Sequence, residues 1–140
     1  MRAFHPISFA ATALLAACAA LFSGVATAAD LKLTGDQEVP ANASTAVGTG
    51  SITVAQDGGV SGSVAAPTLQ ATAAHIHVGA KGVNGPVIIP LTGGPGGTWS
   101  VPTGAKLTGE QMDAYKAGNL YVNVHTAEHK GGEIRTQLTP

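Results

Sequence analysis

Glycine divides this chain into short pieces, and the pieces alternate apolar and polar residues with a period of two. The sequence has 19 glycines in 140 residues. Leu31-Lys32-Leu33-Thr34 alternates up to Gly35. Gly50-Ser51-Ile52-Thr53-Val54 runs into the turn signal Asp57-Gly58-Gly59, and Val60-Ser61-Gly62-Ser63-Val64 returns with the same period. That pattern predicts a hairpin over residues 48–65. Thr72–Val78, Pro86–Leu91, Thr98–Val101, Asn119–Thr126 and Glu133–Leu138 are further strand-length runs. About eight short antiparallel strands at turn spacings of roughly 8–15 residues predict an all-β fold, a Greek-key-like β-sandwich. One helix interrupts them. Thr108 and Gln111 form a capping box, Met112, Tyr115 and Lys116 follow at helical spacing, and Gly118 supplies the stop.

The N-terminus reads differently. Arg2 is followed by a nearly continuous apolar or small-residue run from Ile7 to Val25, and Ala26-Thr27-Ala28 has the small-x-small pattern of a cleavage site. The expectation is a signal peptide over residues 1–28 and an exported domain, periplasmic or secreted, over residues 29–140. Leu15-Ala16-Ala17-Cys18 is a competing lipobox that would place a lipid anchor on Cys18. The residues after Cys18 stay hydrophobic to Val25, which favours cleavage after Ala28. The exported domain then has no cysteine and no disulfide, and its stability must come from its core, from oligomerisation or from a metal.

Charge narrows the partners. Over residues 29–140, six Lys and Arg face eight Asp and Glu, a net charge of −2 without a basic patch. Nucleic acid and, after signal cleavage, an anionic membrane are therefore not expected partners. The domain has no Gly-x-Ser-x-Gly elbow, and Gly93–Gly97 is not followed by the Lys-Ser/Thr of a phosphate loop.

The histidines are the most informative residues. His75 and His77 alternate with Ala74, Ile76 and Val78, so both rings share one strand face while the apolar residues face the core. Residues at i and i+2 on a strand are about 6.5–7 Å apart at Cα, within reach of a single ion. In the later run, Leu120, Val122 and Val124 form an apolar face and Tyr121, Asn123 and His125 the other. Pairing these strands would assemble a three-nitrogen site, with His129 as a fourth candidate ligand. Without sulfur donors, imidazoles suit Cu(II), with zinc as the alternative. The competing reading is a hydrogen-bonded polar cluster that orders the sheet without metal. Glu133 and Arg135 share a face and predict a surface ion pair, with a supporting role for Glu133 behind an imidazole as the alternative. Glu38, just before Pro40, is an alternative for the same supporting role, but it reads, like Asp36, as a solvated turn residue.

The ordered motifs resemble a known family. Leu33-Thr34-Gly35-Asp36-Gln37-Glu38-Val39-Pro40, Ala74-His75-Ile76-His77, Asn84-Gly85-Pro86-Val87, Gly118–Thr126 and Gly132-Glu133-Ile134-Arg135 are similar to the CHRD (chordin-type) domain across residues 31–138. Thr136 stands where the family pattern has Gly. The resemblance implies an all-β sandwich and no general activity. A looser likeness to the copper and zinc superoxide dismutases rests on His75, His77 and His125 in type and order. The zinc loop and the disulfide of those enzymes are missing, and Arg135 corresponds to their active-site arginine only by its place near the end.

Three functions follow as expectations. The first is an exported copper-binding protein for envelope copper handling or protection. The second is a dismutase-like copper redox enzyme. The third is a structural or interaction module without metal, using Trp99 or Tyr121. A homodimer, with His129 offered to a second copy, is a further expectation.

Overall fold

The computed structural model describes residues 28–140; the expected signal peptide, apart from its last residue Ala28, and Cys18 lie outside these residues. Nine strands form one antiparallel sheet. They are β1 (Ala29–Thr34), β2 (Val47–Val54), β3 (Val60–Ala65), β4 (Ala71–Val78), β5 (Val87–Pro90), β6 (Thr92–Gly93), β7 (Thr98–Ser100), β8 (Leu120–Thr126) and β9 (Ile134–Leu138). Their spatial order is β5-β4-β8-β9-β1-β2-β3-β7-β6.

The two ends of that order belong to one stretch of chain. β5 pairs with β4 and β6 pairs with β7, with only Leu91 between them. The Leu91 N–H donates to the Ala74 carbonyl at 2.9 Å. The segment Val87–Gly93 therefore joins both edges, and the sheet is a nearly closed barrel. The all-β antiparallel expectation holds, with Thr92–Gly93 as a ninth strand too short to show as an alternating run.

Inward-facing residues fill the barrel. Leu33, Val64, Ala74, Ile76, Leu120, Val122, Val124 and Ile134 are each at most 1% exposed. The hairpin appears where the glycines place it, closed by Gly58 N–H to the Ala55 carbonyl and Ala55 N–H to the Gly59 carbonyl. The one α-helix among the described residues, α1 (Gly109–Lys116), has its capping box: Gln111 N–H donates to Thr108 Oγ1 and Thr108 N–H to Gln111 Oε1. Met112 and Tyr115 pack against the core from outside. No helix among the described residues is long and apolar enough to cross a membrane.

β8 departs from simple one-sided burial, because all seven of its residues are buried. Its second face is covered by two loops, Gly35–Ala46 and Gly79–Pro86. Asn42 Nδ2 reaches the Glu133 carbonyl at 3.0 Å, and Asn84 Nδ2 joins the two loops through the Val39 carbonyl at 2.6 Å. The interior and this covered face are thus two separate layers on either side of β4 and β8.

Ile76 lies at 0% exposure between the two histidines of β4, whereas Val87 is 48% exposed. Ile76→Ala is expected to cost about 2–5 kcal/mol through lost burial and the cavity left behind. Val87→Ala should stay within about 0.5 kcal/mol. Urea unfolding followed by circular dichroism separates the two, and equal losses would mean that the core lies elsewhere.

Candidate metal centre

Strand register assembles the site. β4 and β8 pair with Ala73 opposite His125, His75 opposite Asn123 and His77 opposite Tyr121. β9 continues the same face with Arg135 opposite Asn123 and Gln137 opposite Tyr121. One ligand atom from each of His75, His77 and His125 lies within 4.8 Å of the others. Nitrogens on a tetrahedral ion with bonds of about 2.0–2.1 Å stand about 3.4 Å apart. Loading such an ion therefore needs at most a small inward rotation of a ring. His129 lies outside this cluster. It sits in the following turn, where its carbonyl accepts from Gly132 N–H at 3.0 Å and its N–H donates to Thr126 Oγ1 at 3.1 Å.

Backbone carbonyls set the tautomers. His77 Nδ1 is 2.9 Å from the Gly85 carbonyl and His125 Nδ1 is 2.8 Å from the Lys130 carbonyl. Carbonyls only accept, so both rings donate through Nδ1 and leave the Nε2 lone pairs for an ion. His75 Nδ1 lies 3.0 Å from His125 Nε2 and donates to it when no ion is bound. Were an ion held by both rings, His75 would give it the Nδ1 lone pair and carry its proton on Nε2. His77 Nε2 is buried and has no partner, the condition expected of a ligand atom without its ion.

A stack holds His77. The Tyr121 ring lies parallel to His77, with centroids 4.6 Å apart and an interplanar angle of 6°. On its β9 side Tyr121 carries the Arg135 guanidinium, Cζ 3.4 Å from the ring centroid. The Tyr121 hydroxyl accepts from Gly85 N–H at 3.1 Å, fixing the residue whose carbonyl meets His77. A Cβ at Gly85 would overlap the Val78 carbonyl, so this close approach requires glycine.

Burial lowers the basicity of the first two rings. His75 is pushed below the ordinary histidine range by burial, then by repulsion from His125 and His77. His77 is lowered mainly by burial; the Gly85 carbonyl and the nearby Asn123 amide oppose this, and His125 and Arg135 add repulsion. Neutral imidazoles, the form that ligates metal, are therefore favoured around neutrality.

The acidic residues correct the sequence reading. Glu133 makes no surface pair with Arg135. It is 8% exposed and accepts from Thr126 Oγ1 at 2.6 Å and Ser44 Oγ at 2.7 Å. Burial alone would raise its pKa, but these two hydroxyls outweigh that and hold it below the usual carboxylate range. Arg135 is 1% exposed and donates to the Ala80 and Val83 carbonyls, each at 3.0 Å, and to Gln137 Oε1 at 2.9 Å. Its guanidinium thus lies behind Tyr121 and is not directed at the histidines. Glu38 is not solvated: it is 5% exposed and Oε1 has no partner. Desolvation raises its pKa to about 7, against the lowering effects of Asn123 and Arg135. Asn123 carried no assigned role in the sequence, Tyr121 only that of an interaction residue, and Glu38 reads there as a turn residue. For the first two, the signal was their alternation with His125.

Glu38 gives a pH prediction. Its folded pKa of about 7 lies above the unfolded value of 4.5, so the native state binds the extra proton between them. Its contribution therefore falls as pH rises through that window. Glu38→Gln removes this dependence, so the melting temperature of the variant relative to the wild type should climb from pH 5 to pH 8. A constant difference across that range would show that Glu38 ionises freely in the folded protein.

No curated protein and no solved structure matches the chain. The model of the CHRD domain matches residues 30–138, nearly the whole described region. It contains all three clustered histidines and the strands that position them, and the chain belongs to the CHRD domain family.

Proposed function

We propose that this domain is an exported copper-binding protein acting in envelope copper handling or protection. One observation carries the reading: three imidazoles converge within 4.8 Å, and one of their nitrogens is buried without a partner. A polar cluster formed only to order the sheet would satisfy its own atoms, because an unpartnered buried acceptor costs about 1–3 kcal/mol. The ligand set supports copper. It contains imidazole nitrogens and no thiolate, and Cu(II) is the tightest-binding first-row dication for such donors, with zinc the nearest competitor. Export follows from the leader-like residues 1–28.

The dismutase-like alternative draws no support from Arg135, whose donors are engaged by loop carbonyls and whose cation sits on Tyr121. An interaction surface built on Tyr121 is also disfavoured, since that ring is 2% exposed.

Metal analysis and Cu(II) titration of untagged protein test the proposal. About one tightly bound copper per chain is expected, with nitrogen ligation in the spectrum. His75→Ala and His125→Ala should each lower the affinity by about 100-fold or more while the metal-free domain still melts cooperatively. Wild-type affinity in both variants, or no bound copper in the wild type, would refute the assignment.

The pH dependence has a defined sign. Protons compete for the same lone pairs, and the folded pKa values of His75 and His77 lie below 6.5. Copper affinity should therefore fall as pH is lowered, and the lowered basicity of His75 and His77 moves their share of that fall to more acid pH than free imidazoles would show. A competition titration with a chromophoric chelator from pH 4.5 to 8 reads this directly; an affinity that stays constant or rises towards pH 4.5 would contradict it.

A further inference from the structure

Among the described residues, three buried side-chain atoms lack a hydrogen-bond partner: His77 Nε2, Asn123 Oδ1 and Glu38 Oε1. They belong to one neighbourhood. The Asn123 amide is within hydrogen-bonding reach of both His77 and Glu38. Its nitrogen faces the Gly131 carbonyl at 3.4 Å. That nitrogen also shares with Glu38 Oε1 the small space beside Gly132 where a Cβ would collide with both. With the amide nitrogen on that side, its oxygen is left on the side of His77.

The three orphans are not equivalent. A carboxyl oxygen can take a proton and become a donor, so Glu38 has a resolution of its own. The amide oxygen of Asn123 has no proton to gain, and His77 already carries its single proton on Nδ1, toward Gly85. Two bare acceptors side by side in a buried place repel each other unless something positive lies between them. Asn123 is 1% exposed and stands directly across the strand pair from His75, with His125 two residues along the same face of β8. On β8 it therefore lies between Tyr121, which is opposite His77, and His125.

We propose that Asn123 is the fourth donor of the metal site, its side-chain oxygen ligating the ion that His75, His77 and His125 hold by nitrogen. The proposal rests on the metal-binding reading above and extends it. The donor set becomes three nitrogens and one oxygen, all neutral, a set suited to a borderline dication such as Cu(II) or Zn(II) rather than to a hard ion such as Ca(II).

The test compares wild-type protein with Asn123→Ala and Asn123→Asp, using Cu(II) alone as the probe. Asn123→Ala should lower the affinity by about 10- to 100-fold and shift the copper electron paramagnetic resonance spectrum towards fewer donors. Asn123→Asp keeps the shape of the side chain and supplies an anionic oxygen, so it should bind at least as tightly as the wild type. This second variant keeps the test decisive where Asn123→Ala fails to fold. If Asn123 only braces the sheet, both variants melt lower without metal while the spectrum of bound copper stays that of the wild type, and the proposal falls. Failure of the wild type to bind copper at all would instead remove the metal reading, and this proposal with it. Binding that His75→Ala abolishes and neither Asn123 variant alters would sink the fourth donor alone.

Discussion

The pairing of β4 with β8 is the constraint on which the rest of the molecule depends. One register satisfies two demands together. It sends Ala74, Ile76, Val122 and Val124 into the barrel and brings His75, His77 and His125 to one place on the opposite face. A slip of one residue would reverse both, exposing the apolar set and burying imidazoles in hydrocarbon. Core formation and site formation are therefore one choice, enforced by the hydrophobic effect.

Much of this could be read from the residues because it depends on local periodicity. The hairpin at Asp57-Gly58-Gly59, the capped helix at Thr108 and the shared face of His75 and His77 each follow from a few consecutive positions. What could not be read depends on which loops cover which face. Glu38, Glu133 and Arg135 look like surface residues in any short window. They are buried because Gly35–Ala46 and Gly79–Pro86 fold over β8 and β9, held by bonds across about 90 positions (Ser44 to Glu133) or about 50 (Ala80 and Val83 to Arg135). The closure at Leu91 was equally hidden, since it pairs one segment with strands on both sides. His129 shows the limit of residue type as a guide: a histidine near the others in sequence can be turned away by a tight turn.

The covering loops explain how Arg135 can be buried. Its charge is distributed over two carbonyl dipoles, the amide oxygen of Gln137 and the face of Tyr121. These contacts also order the Gly79–Pro86 loop that presents the Gly85 carbonyl to His77. The chain of contacts runs from Arg135 through loop and ring to one imidazole nitrogen. Positioning of this kind limits ring rotation more than a surface histidine would experience.

The seam at Val87–Gly93 has a consequence for aggregation. A sheet with free edges offers rows of unpaired amides to other chains, and the described residues contain no cysteine with which a disulfide could tie them together. Here the edge beside β4 and the edge beside β7 are occupied by successive halves of one segment. Any neighbouring strand that sought to add there would first have to peel away Leu91 and break its bond to Ala74. The curl of the sheet thus leaves only the short outer edges of β5 and β6 open to strand addition.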